Sequence, residues 1–173
     1  MTVVLREPTL EDAAELGRVH QLCWVETYEA LVPPEFWDHS TEARRIGMWE
    51  RMLRRNAGDL RLVLAEEDGS IVGLAAAGPV LTREHPGHEP AEAREVQMLY
   101  LLRSRHGSGI GQQLLDAILR PDEGAQLWVA EQNERAVAFY LRNGFSPDGV
   151  RDEEAHRGTD LTAIRLVRRS NGG

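Results

Sequence analysis

Residues 95–115 constrain this chain more than any others. The run from Glu95 to Leu102 is apolar on both alternating faces, the pattern of a strand covered on each side. Directly after it, Gly107, Gly109 and Gly111 stand at alternate positions, and Ile110, Leu114, Leu115 and Ile118 repeat at helical spacing. The stretch predicts strand, glycine-rich turn, helix. Such a turn lets backbone approach a ligand closely, and the helix start offers unpaired N–H groups with partial positive charge. It is an anion site suited to phosphate.

Two familiar phosphate loops fail here. Gln112 and Gln113 follow the last glycine where a P-loop needs Lys and Ser or Thr. A dinucleotide fingerprint needs a third small residue, which would fall on Gln112 or Leu114. The stretch instead resembles the GNAT acyltransferase superfamily, whose acyl-CoA loop reads Arg/Gln-x-x-Gly-x-Gly/Ala after a strand. His106, Gly109 and Gly111 hold those places, and His106 departs from the family's Arg or Gln. Arg103 and Arg105 are near enough to supply the missing charge.

A second segment carries the same resemblance. Asn133-Glu134-Arg135-Ala136-Val137-Ala138-Phe139-Tyr140-Leu141-Arg142-Asn143-Gly144-Phe145 is similar to the family's Asn-x-x-Ala-x-x-Phe-Tyr-x-x-x-Gly-Phe at every marked place. The element order agrees. Thr2 to Arg6 is a short strand, and Thr9 with Asp12 opens a helix that runs to about Tyr28. Pro33-Pro34 breaks the chain before a second helix over 41–55, closed by Asn56-Ala57-Gly58. Strands over 61–66 and 71–77 flank an Asp68-Gly69 turn. Residues 79–92 form an aperiodic, mobile loop. After the central strand and its helix, ended by Pro121, come a strand over 125–130, a helix over 133–142 and an antiparallel pair over 145–150 and 160–167. The order β-αα-βββ-α-β-α-ββ predicts an α/β (α+β) chain with a mixed, mostly antiparallel sheet and helices on both faces. Residues 1–169 read as one domain and 170–173 as a frayed tail.

Composition narrows the function classes. At 173 residues and 42% apolar the chain can bury a substantial core. A net charge of −8 argues against nucleic-acid binding, which depends on a basic surface. Cys23 alone excludes an internal disulfide and suits a reducing cytoplasm. With no basic-then-apolar leader and no apolar run near ~18 residues, neither secretion signal nor membrane span is expected.

The resemblance implies an N-acetyltransferase that uses acetyl-CoA and an amine acceptor in a ternary complex, with a family habit of homodimers. Tyr140, facing the cofactor sulfur in the family, is the general acid for the departing thiolate, since a phenol with an ordinary pKa of about 10 keeps its proton at neutral pH. Glu95 matches the place of a catalytic Glu in many members and is the candidate base; Glu131 is a weaker one. Amides of Leu99 and Leu101 fall where the family exposes N–H groups to the acyl carbonyl and pantetheine. Arg103, Arg105, His106, Gly107, Ser108, Gly109, Ile110 and Gly111 would hold the pyrophosphate, and Asn133 would contact the cofactor besides capping its helix. Trp24 and Tyr28, with Phe36 and Trp37, would sit near the acceptor. His85 and His88 lack the paired spacing of a zinc site, so no metal is expected. Cys23 lies on an inward stripe without a base, which argues against a nucleophile. The alternative is a CoA-binding sensor that has lost turnover. A nicotinamide reductase fails on both glycine registers.

Overall fold

The computed structural model describes residues 2–55, 58–156 and 158–170. The Asn56-Ala57 helix end and the tail from Asn171 to Gly173 lie outside the described residues. In chain order the elements are β1 (Val3–Arg6), α1 (Ala13–Tyr28), α2 (Glu42–Arg55), β2 (Arg61–Glu67), β3 (Ser70–Pro79), β4 (Arg94–Leu101), α3 (Ile110–Ile118), β5 (Ala125–Ala130), α4 (Glu134–Arg142), β6 (Ser146–Asp152) and β7 (Ala163–Arg168). The strands form one sheet in the order β1-β2-β3-β4-β5-β7-β6. Every neighbouring pair is antiparallel except β4–β5, which is parallel. The mixed sheet expected from the element order is therefore present.

Alternation along the strands divides the core between two faces. Val63, Ala65, Val72 and Ala75 pack with Ile110, Leu114, Leu115 and Ile118 of α3, and with Tyr140 of α4. Leu64, Ile71 and Leu74 point the other way, onto Leu16, Val19 and Cys23 of α1 and Trp49 of α2. Helix α2 crosses α1 at Gly17, where a Cβ would come within 2.4 Å of the Ile46 side chain. The chain enters α1 through a 3-10 turn at Leu10–Asp12, and the Thr9 amide donates to the Asp12 carboxylate at 2.7 Å. The proline break also holds a 3-10 turn, Pro34–Asp38, because proline is tolerated at the first position of a helical turn.

Residues 80–93 contain no helix or strand, yet they are anchored. Arg165 donates to the Glu89 carbonyl at 2.6 Å, and the Ala91 amide donates to Gln126 Oε1 at 2.7 Å. This loop lies against β5 because its partners, Gln126, Trp128 and Arg165, project from the sheet.

Candidate active site

The sheet opens at its centre. Strand β4 pairs with β5 at Glu95↔Gln126 alone, although both strands continue beyond that point. A bulge explains where they part. Val96 pairs with Ala77 and Met98 with Ala76, so Gln97 is an extra residue on β4. A bulge bends its strand and raises the local twist, which turns the rest of β4 away from β5. The Leu102 amide donates to the Val72 carbonyl at 3.0 Å, on the β3 side. Strand alternation then directs the amides of Leu99 and Leu101 to the opposite edge, into the opening.

Helix α4 fills the other side of that opening. Asn133 caps it, its Oδ1 accepting the Ala136 amide at 3.3 Å. In its last turn lies Tyr140, 7% exposed, between Phe139 and Phe145 at ring distances of 5.3 and 5.6 Å. Burial pushes the Tyr140 phenol above its ordinary range, and the nearby Tyr100 and Tyr28 add to the shift. The phenol keeps its proton.

Two cavities meet at these residues. One, about 100 Å³, is lined by Cys23, Thr27, Leu101, Gly111, Arg135 and Phe139. The other, about 380 Å³, is lined by Trp24, Glu84, His85, Glu95, Trp128 and His156. Tyr28, Leu99, Tyr100, Asn133, Ala136 and Tyr140 belong to the walls of both.

The glycine turn leads into the smaller cavity. Gly107 and Gly109 have φ of 79° and 85°, the left-handed region that favours glycine, and Gly109 caps α3. Among the described residues, the amides of Gly109, Gly111 and Gln112 meet no acceptor, and Ile110 reaches only Ser108 Oγ at 3.4 Å. A Cβ on Gly111 would touch nothing closer than Phe139 at 3.8 Å and Leu101 at 3.9 Å. Packing does not require that glycine, so the space above it is a cradle a ligand can fill. The neighbouring side chains are more committed. His106 Nε2 donates to the Leu101 carbonyl at 3.0 Å, and burial lowers its pKa. Arg105 pairs with the buried Glu67 at 2.5 Å, and the Arg103 guanidinium donates to the Glu26 carbonyl.

In the wall of the larger cavity, Glu95 is 4% exposed and accepts from Gln126 Nε2 at 2.8 Å. Burial raises its pKa, opposed mainly by the Gln126 hydrogen bond. Trp24 and Tyr28 meet at 4.9 Å along the cavity wall with their rings tilted by 50°, with Phe36 parallel to Trp24 at 6.1 Å and Trp37 against Phe36 at 5.1 Å. Glu131 stands apart, exposed and paired with both guanidinium nitrogens of Arg151 at 2.7 and 2.9 Å. The Cys23 thiol is buried and pushed up to about 12 by that burial, which suits packing rather than nucleophilic attack.

Several residues in or beside these walls escape sequence reasoning. Arg135, one helical step from the Asn133 cap, makes no ion pair among the described residues, and burial followed by the nearby Arg103 lowers its pKa. Its place in the first turn of α4 was the available signal. Glu26 accepts the Arg103 amide at 2.8 Å and fixes the turn against α1. His85, Trp128 and His156 come from separate segments, and nothing in their spacing joins them.

Comparison with known proteins decides the family. The Acetyltransferase (GNAT) family pattern matches residues 24–145, which span both glycine turn and capped helix. The chain belongs to the GNAT family. It is an acetyltransferase. It is 28% identical to the uncharacterized N-acetyltransferase YuaI of Bacillus subtilis, over 95% of this chain and 98% of that protein. It is 30% identical to the uncharacterized N-acetyltransferase Rv2669 of Mycobacterium tuberculosis, over 90% and 98%. Among solved structures, the PaiA N-acetyltransferase of Thermoplasma acidophilum, in complex with coenzyme A, superposes with a TM-score of 0.67 at 21% identity, covering 98% and 99% of the two chains. The histone acetyltransferase HPA2 and related acetyltransferase of Corynebacterium glutamicum gives 0.69 at 19%, covering 100% and 99%. At those identities the likeness is one of fold, and this GNAT chain has the sheet of its relatives. Among the described residues, no helix is long and apolar enough to cross a membrane, and no group of three His, Cys, Asp or Glu side chains is placed to hold a metal.

Proposed function

We propose that this GNAT acetyltransferase moves an acetyl group from acetyl-CoA to a primary amine by direct attack, with both substrates bound together. The opening between β4 and β5 carries the reading, because it joins two cavities through Tyr140 and a pair of inward amides. The free amides of Gly109, Gly111 and Gln112 and the cations Arg103 and Arg135 hold the pyrophosphate; His106, Ser108 and Arg105 shape the turn. Asn133 and the walls of the smaller cavity hold the pantetheine arm. Leu99 and Leu101 amides face the acyl oxygen, where a preorganised donor is commonly worth ~3 kcal/mol as charge develops.

The amine enters from the larger cavity, past Trp24 and Tyr28. Among the described residues its wall includes Glu84 and Glu95 and no arginine, which suits a cationic acceptor. Glu95 takes a proton from the attacking nitrogen, and Tyr140 gives one to the thiolate as the C–S bond breaks. Acetyl-CoA supplies the activated acyl group; position and proton transfer come from the chain.

Thermal unfolding with acetyl-CoA, free CoA and NADH tests the binding half. A ligand at ~100 times its dissociation constant adds about 2.7 kcal/mol, a shift of several degrees for a chain of this size. The expected result is a rise with acetyl-CoA and CoA and none with NADH. No rise with acetyl-CoA contradicts the proposal. A rise with acetyl-CoA but no amine-dependent thiol release favours a sensor.

A further inference from the structure

Amide formation from an alkylammonium removes two protons from one nitrogen. The first must leave before attack, since the protonated nitrogen has no lone pair. The second leaves as the new C–N bond matures. Glu95 accounts for one of them, and the acceptor cavity holds a second group built to take the other.

His85 Nδ1 lies 2.8 Å from Asp152 Oδ2, between residues far apart in sequence. Both are fixed from other sides. The Glu154 amide donates to Asp152 Oδ1 at 2.9 Å, and the His85 ring lies flat on Trp128 at 4.0 Å with 13° between planes. Asp152 is buried. A carboxylate facing Nδ1 selects the tautomer with its proton there, which leaves the lone pair on Nε2. Among the described residues Nε2 meets no partner, and His85 belongs to the cavity wall that also holds Glu95 and Tyr140. Burial keeps the imidazole neutral, opposed first by Asp152 and then by Glu84, while His88 from the same loop reinforces neutrality. His156, across from the end of β6, is itself held neutral by burial and by His85.

We propose that His85 is the acceptor-side base that converts a bound alkylammonium into the free amine, with Asp152 as its positioning residue. The inference rests on the amine-acetylation reading above. Nε2 takes the first proton, and the imidazolium faces Asp152 before releasing that proton to water. The neutral nitrogen then attacks the thioester carbon and forms the C–N bond. Glu95 takes the second N–H proton, the C–S bond breaks, and Tyr140 protonates the thiolate. Glu95 returns its proton to the Tyr140 phenolate, so one proton in all goes to solvent.

Two amines of similar size separate this role from a merely structural one. Ethylamine is almost wholly protonated at pH 7, whereas 2,2,2-trifluoroethylamine is mostly neutral and needs no first deprotonation. His85→Gln is expected to lower kcat/KM for ethylamine about 100-fold and for trifluoroethylamine less than about threefold. Glu95→Gln should lower both alike. Asp152→Asn should shift the acidic limb of the ethylamine profile to lower pH, because Asp152 supports the charged imidazole. If His85→Gln lowers the two rates by factors within tenfold of each other, the proposal is overturned while acetylation stands. If the wild type acetylates neither amine although acetyl-CoA binds, the acetylation reading falls, and this one with it. Ring nitrogen shifts by NMR give an independent check on the wild type: a proton on Nε2 rather than Nδ1 overturns the assignment.

Discussion

At the scale of single residues, the proposed chemistry depends on groups whose surroundings set their protonation. Tyr140 is buried and its phenol is held protonated. Tyr140→Phe keeps the ring packing and removes only the proton, so kcat should fall by about 100-fold while acetyl-CoA affinity stays within a factor of about two. Equal turnover in the two proteins would remove Tyr140 from the mechanism. Glu95 carries a linked stability effect. Burial raises its native pKa above the unfolded value, so the native state holds the proton more tightly. Stability is then lost as pH rises through the window between the unfolded and native pKa values. Glu95→Gln should therefore melt at least as high as the wild type at pH 8, though its activity is low. A variant that melts several degrees lower at pH 8 contradicts that account. Tyr140 and Asn133 were legible because each lies in a contiguous motif on one helix. Glu95 was legible as a position, but its burial under Gln126 was not, since that contact crosses from β5. His85 and Asp152 were invisible together because only the folded sheet brings them within 2.8 Å.

At the scale of elements, the strand–turn–helix unit from β4 to α3 carries the proposed anion cradle. The sequence pattern located its strand, turn and helix because strand alternation, glycine spacing and helical period change within a few residues. The Gln97 bulge was not legible. It is defined by pairing with β3, and an apolar run looks the same with or without an extra residue. The loop over 80–93 reads as mobile for a related reason: its anchors, Gln126 and Arg165, lie on distant strands. Gly111→Ala tests the cradle. The new methyl meets only ordinary contacts at 3.8 and 3.9 Å, and alanine favours a helix over glycine by about 1 kcal/mol. The melting midpoint should hold or rise, while acetyl-CoA affinity falls about tenfold or more. Unchanged affinity would show that no ligand backbone passes there.

At the scale of the whole molecule, the two helical layers have different tasks, and both meet at Tyr100. On its α1 side Tyr100 stacks on His20 at 4.4 Å, and His20 is held by Trp49 Nε1 at 3.3 Å and lies 3.1 Å from Arg45. Burial, followed by the Arg45 charge, lowers the His20 pKa to about 3. The unfolded chain binds that proton below its ordinary value of 6.5, so stability falls as pH drops from 6.5 towards 3, by at most about 1.4 kcal/mol per unit. His20→Gln should flatten this part of the acid limb in urea unfolding at pH 7, 5 and 4; an unchanged slope contradicts a buried neutral His20. The mixed sheet and its helices on both faces were legible from the element order, because hairpins and a crossover leave few topologies; the strand order, with β7 between β5 and β6, was not.

The central claim is direct transfer within a ternary complex, and initial-rate kinetics test it most directly. Thiol release would be followed over a grid of acetyl-CoA and ethylamine concentrations, with product amide quantified. The chain contains no lysine, so acetylation of its own side chains adds little background. The account predicts intersecting reciprocal plots and one amide formed per thiol released. Parallel plots, or thiol release that proceeds equally without amine, would contradict it.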